Sequence, residues 1–136
     1  MTMRLPFLLL LALGGALGTL ARYWLSGAVA NAVGQTFPWG TILVNVTGSF
    51  VIGFFATLTA PDGRFLIGGS TRQYVMTGFC GGYTTFSSFS LQTLNLMNDG
   101  EWLYAGGNVA VSVGLCLLFV WLGALCAAAI NQLKGA

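Results

Sequence analysis

Five hydroxyls fall within seven consecutive positions of this chain, at Thr84, Thr85, Ser87, Ser88 and Ser90. They lie in the stretch from Gly78 to Ser90, Gly-Phe-Cys-Gly-Gly-Tyr-Thr-Thr-Phe-Ser-Ser-Phe-Ser. Each hydroxyl can donate a hydrogen bond, and none carries a charge. Uncharged donors suit an anion in transit, because conduction requires binding loose enough for release. Phe86 and Phe89 are three apart and share one side of any helix that forms there. Their rings either pack against neighbours or turn a positive edge toward an anion path. Other chemistry is poorly supplied. The chain has no histidine and only three acids, Asp62, Asp99 and Glu101, all in predicted turns or at a helix edge. Without histidine the usual zinc ligand and the commonest general base are missing, so the chain does not read as an enzyme. A proton-coupled transporter relies on an intramembrane acid or histidine, and passive conduction therefore ranks above active transport.

Three further positions could act with this stretch. Thr41, Asn45, Gly48, Ser49 and Ile52 follow a period of about 3.6 residues and gather on one stripe of a helix. The Asn45 amide either ties helices together or offers its NH2 to a passing anion. Asn108 and Ser112 are four apart and form a second polar stripe. Gly14, Gly18 and Arg22 share a face on which small residues let another backbone come close. Arg22 either snorkels to the interface or gathers anions at a pore mouth.

The elements that must position these residues are membrane helices. The 136 residues are 56% hydrophobic and 6% charged, with a mean hydropathy of +0.81, against roughly 25% charge in soluble domains. A span takes about 20 apolar residues, so one domain of four helices fits. Helices are predicted at about 5–30, 38–59, 68–97 and 102–131. Arg4 before an apolar run resembles a signal peptide, but the run continues well past the usual core and reads as a helix. The third helix is predicted to break near 79–85, because Gly81 and Gly82 are followed by Tyr83, Thr84 and Thr85, with Thr84 or Thr85 capping the second half. A broken membrane helix offers free N–H groups on one side and free carbonyls on the other, and such breaks build ion sites.

The thin bundle has little room for a wide vestibule, so a pore calls for more than one copy. Net charge is +2 with no basic run, which excludes nucleic acid as a partner. Cys80, Cys116 and Cys126 lie in apolar surroundings and read as small packing residues. Starting helix 1 in the cytoplasm places Arg4, Arg64, Arg72 and Lys134 there and only Arg22 opposite, a bias toward one orientation. A four-helix multidrug-type transporter is the next alternative, but it predicts a glutamate in the first helix, where none stands. A non-transporting membrane assembly subunit is the third.

The chain resembles the small bacterial fluoride channels called Fluc or CrcB. The resemblance rests on Gly14 to Gly18 with Arg22-Tyr23, on Pro38 to Asn45 with Gly48, and on Thr77 to Ser90. It covers the first three helices in order, with the fourth matched by position and hydropathy. It implies an all-α antiparallel, dual-topology homodimer in the bacterial inner membrane, with two fluoride pores that export the ion and limit its toxicity. Phe86, Phe89 and Asn45 would line each pore, with Thr85, Ser88, Asn108 and Ser112 as polar pore positions and Arg22 at the vestibule. A structural sodium ion would sit at the dimer centre on the backbone carbonyls of Gly81 and Thr84. Two departures from the family pattern are Gln92, where a glutamate is frequent, and Ser88, where threonine is usual.

Overall fold

A computed structural model describes residues 4–133; Lys134, counted above with the cytoplasmic charges, lies outside them. Every regular element among the described residues is a helix. α1 spans Leu5–Val33 and α2 spans Trp39–Leu58. α3 is a continuous helical rod built from Gly69–Gln73, the wider π-helical turns of Tyr74–Cys80, and Gly81–Tyr83. α4 spans Phe86–Asn98 and α5 spans Trp102–Gln132. α1, α2 and α5 are each long and apolar enough to cross a membrane. α3 and α4 together occupy the place of the predicted third helix, as two halves.

Large apolar side chains such as Leu9, Leu20, Leu103 and Leu117 stand exposed around the bundle. In water this would be an aggregating surface; in lipid it is the ordinary outer face. The closest approaches between helices are made at glycines. The only buried residues of α1 are Gly14 and Gly18, and a methyl on Gly18 would run into the Phe79 carbonyl of α3. The Gly14, Gly18 and Arg22 stripe therefore docks on α3. α2 and α5 pack equally closely, since a methyl on Gly53 would meet the Val120 carbonyl and one on Gly123 the Phe50 carbonyl.

Polar side chains fix the ends. Arg72 donates from Nη2 to the Ala56 carbonyl at 3.1 Å and from Nε to Thr59 Oγ1 at 3.3 Å, which puts its positive charge at the C-terminus of α2. Asn131 accepts from the Arg64 N–H at 2.7 Å and donates to the Thr57 carbonyl at 3.0 Å, tying the end of α5 to the turn after α2.

The break falls at the end of the predicted 79–85 interval. Cys80 and Gly81 remain in right-handed helical backbone, and extended backbone begins only at Thr84 (φ −82°, ψ 158°) and Thr85 (φ −153°, ψ 112°). Gly82 serves a different purpose from unwinding. A methyl on Gly82 would strike the Gly15 carbonyl, so this position is small because two backbones touch there.

Candidate functional site

The two-residue gap between α3 and α4 is splinted by a side chain of α2. The Thr85 N–H donates to Asn45 Oδ1 at 2.7 Å, and Asn45 Nδ2 donates to the Thr85 carbonyl at 2.9 Å. The amide thus pairs both backbone groups of one residue, as a neighbouring strand would. α4 then begins under a Thr85 cap, with Thr85 Oγ1 accepting from the Ser88 N–H at 3.2 Å. Of the two threonines offered by the sequence, Thr85 is the cap. Thr84 instead turns back, and both its N–H and its hydroxyl donate to the Cys80 carbonyl at 3.0 Å. Gly48 lets Thr84 approach α2, because a methyl on Gly48 would collide with Thr84 Cγ2.

These pairings decide which carbonyls are left over. In a continuous α-helix the Thr85 N–H would close on the Gly81 carbonyl and the Ser88 N–H on the Thr84 carbonyl. Here Asn45 takes the first and Thr85 Oγ1 takes the second. Gly81 and Thr84 therefore lose their helical donors, as does Tyr83 between them, while the Gly82 carbonyl is engaged by Arg22 Nε at 3.1 Å and Thr19 Oγ1 at 3.4 Å.

A cavity of about 370 Å³ opens against the break. Asn45, Gly81, Thr84, Thr85, Phe86, Phe89 and Ser112 all line it, together with Ser49, Met76, Cys80 and Cys116. No charged side chain is among its lining residues. The Phe86 and Phe89 rings lie 5.3 Å apart and tilted by 48°, so one ring turns part of its edge toward the other's face. Phe89 is 8% exposed and Phe86 is 76% exposed, so the pair runs from the interior of the bundle to its surface.

Three of the sequence candidates stand off the cavity. Arg22 lies on the α1 side of α3, bound to Gly82. Ser88 stands beside the cap, accepting from Thr85 Oγ1 at 3.1 Å. Asn108 is 1% exposed and sits behind Ser112, whose hydroxyl donates to Asn108 Oδ1 at 3.0 Å. Asn108 Nδ2 in turn donates to Thr93 Oγ1 at 2.9 Å, and Thr93 Oγ1 donates to the Phe89 carbonyl at 2.8 Å. Thr93 went unmarked in the sequence, although it lies four residues after Phe89 and so on the same helical face. Tyr83 was read only as a helix breaker, and its hydroxyl pairs with Thr47 Oγ1 at 2.8 Å.

A second, wider recess of about 1050 Å³ lies where the end of α1, the start of α2 and the end of α4 meet. Gln92 borders it along with Thr41, Asp99, Glu101 and Tyr104. Among the described residues, Gln92 Oε1 is the one buried side-chain polar atom without a hydrogen-bond partner.

Fold and site together define a multi-pass helical membrane protein with an interrupted helix beside an uncharged, hydroxyl-lined cavity. A family model described as CrcB-like protein, Camphor Resistance (CrcB), matches residues 9–124. A protein of Opitutus terrae named fluoride-specific ion channel FluC is 65% identical over 127 residues, covering 93% of this chain and 96% of that one. Proteins of the same name from Methylocella silvestris and Rhodospirillum rubrum are 63% and 60% identical over 124 residues, covering 91% of this chain and 95% and 96% of theirs. The chain belongs to the CrcB family.

Proposed function

We propose that this chain is a fluoride-selective passive channel of the bacterial cytoplasmic membrane, which lets fluoride leave the cell and limits its toxicity. The observation that carries the reading is the cavity against the broken helix, lined by an amide, hydroxyls and two phenylalanines and free of fixed charge. Fluoride is small and strongly hydrated, so a path must replace its water with donors. Asn45 and the edges of Phe86 and Phe89 supply them piecemeal, and the Thr85 and Ser112 hydroxyls, which donate to Ser88 and Asn108, do so only by turning from those partners, so no one group traps the ion. The names of the relatives support the same substrate.

In this reading α3 and α4 form a fourth, interrupted crossing, and the working unit is an antiparallel homodimer. Phe86 fits that assembly, since an aromatic pore residue that is 76% exposed gains a lining only when a second copy faces it. The Gly81 and Thr84 carbonyls fit a sodium ion, because both have lost their helical donors. A bound cation would offset anion repulsion in a low-dielectric site. Ser88 and Asn108 support the path from behind, and Arg22 holds the end of α3 rather than the path itself.

Purified protein in fluoride-loaded liposomes is expected to release fluoride and retain chloride. Silence toward fluoride, where an added anion ionophore does release it, would sink the reading. Phe86→Ile and Phe89→Ile are each expected to abolish flux in folded protein, and normal flux from both would return the rings to packing.

A further inference from the structure

Ser112, Asn108, Thr93 and Phe89 form a chain of hydrogen bonds whose direction is fixed from one end. The Phe89 carbonyl can only accept, so the Thr93 hydroxyl proton is committed to it at 2.8 Å. Thr93 Oγ1 then has only lone pairs to offer, and Asn108 must turn its NH2 toward it, at 2.9 Å. With the amide held that way, Asn108 Oδ1 faces Ser112 and takes the single Ser112 proton at 3.0 Å. Thr93, Asn108 and Ser112 are 6%, 1% and 6% exposed, so water does not compete for these bonds. Ser112 therefore lines the cavity with its donor already engaged.

We infer that Thr93 and Asn108 are positioning residues that set ion selectivity by holding the Ser112 proton away from the cavity. The inference rests on the reading of this cavity as a fluoride path. An anion beside Ser112 meets a hydroxyl oxygen unless it draws the proton from the Asn108 carbonyl. Fluoride, with its charge concentrated on a small ion, is a strong acceptor and wins that exchange. Chloride is a weaker acceptor and does not. The clamp also keeps fluoride from resting at Ser112, because the buried Asn108 carbonyl regains the proton when the ion moves on. Nothing is transferred covalently, and the hydroxyl rotates between two acceptors.

The test compares fluoride and chloride efflux from liposomes for four proteins: wild type, Thr93→Val, Thr93→Ser and Asn108→Leu. Valine keeps the shape of threonine but cannot hold the amide, so Ser112 gains a free proton. Thr93→Val and Asn108→Leu are expected to lower the half-saturating fluoride concentration at least threefold and to raise chloride efflux relative to fluoride. Thr93→Ser, which keeps the hydroxyl, is expected to restore the wild-type values. Neither shift should appear when Thr93→Val is placed on Ser112→Ala. A purely structural role predicts slower efflux with half-saturation and selectivity unmoved, and that result would overturn the inference. So would equal shifts in the presence and absence of the Ser112 hydroxyl. If Thr93→Val does not fold, Asn108→Leu carries the same comparison. Absence of fluoride efflux from the wild type would remove the channel reading and the clamp with it. Wild-type efflux with unshifted variants would remove the clamp alone.

Discussion

Replacing Asn45 with leucine removes both halves of the splint across the broken helix. Two backbone groups, the Thr85 N–H and the Thr85 carbonyl, then lose partners at 2.7 and 2.9 Å. A buried polar group left unpaired costs about 1–3 kcal/mol, which sets a sum of about 2–6 kcal/mol. Two effects pull this down. Hydrogen bonds between membrane helices average only about 0.6 kcal/mol, since a side chain in the unfolded membrane state finds other partners. The first argument still dominates here, because the orphaned groups are main chain, and lipid offers them nothing. The second effect is an escape: α3 and α4 could join, letting the Thr85 N–H close on the Gly81 carbonyl. Joining would pull Phe86 and Phe89 off the cavity and withdraw the Gly81 carbonyl, so the escape trades stability for loss of the site. Asn45→Leu is therefore expected to lose about 2–4 kcal/mol in denaturant unfolding from detergent, with fluoride efflux abolished. A variant within about 0.5 kcal/mol of wild type, with normal efflux, would refute the splint.

Gly18→Val places a branched side chain against the Phe79 carbonyl and the Tyr83 N–H, both backbone and unable to swing aside. Overpacking of this kind should cost at least about 2 kcal/mol, read as a lower unfolding midpoint. Arg22→Ala removes the guanidinium from the Gly82 carbonyl, a charge-assisted bond that should account for about 1.5–3 kcal/mol by the same measurement. Gln92→Leu removes a buried oxygen that has no partner, so it should leave stability unchanged or improve it. A loss above about 1 kcal/mol would mean that the Gln92 amide holds something in the wider recess.

The four hydrophobic segments were legible because lipid imposes one rule on every residue of a span, and that rule shows directly in composition. The stripes were legible for the same reason of regularity. Thr41 to Ile52 and Gly14 to Arg22 repeat at helical spacing; Asn45, Gly48, Ser49 and Ile52 of the first line the cavity, Thr41 borders the wider recess, and the glycines of the second meet α3. What escaped were contacts between segments. A pair of glycines before a run of β-branched residues looks the same whether the helix unwinds there or another backbone presses on it. Only the position of Gly15 decides that Gly82 belongs to the second case. The π-helical turns of Tyr74–Cys80 leave no compositional mark of their own. Thr93 was missed because a single threonine among Leu91, Leu94 and Leu96 gives no pattern until Asn108 is brought beside it by folding.

Asn45 posed a choice between tying helices together and donating to an anion; its bonds to Thr85 establish the tie, and the proposed function adds the donor. Its NH2 group has two protons. One is spent on the Thr85 carbonyl, and the residue also lines the cavity, so in the proposed function the second would serve the anion. The amide can hold the break and offer a donor at once. The splint ranks first, because the cavity has its shape only while Thr85 stays extended. An Asn45 variant that loses flux therefore reports on ion contact only if unfolding shows that the break has survived. Thr93→Val asks the cleaner question: it leaves the Asn45 splint and the Thr85 cap in place and changes only where the proton on Ser112 points.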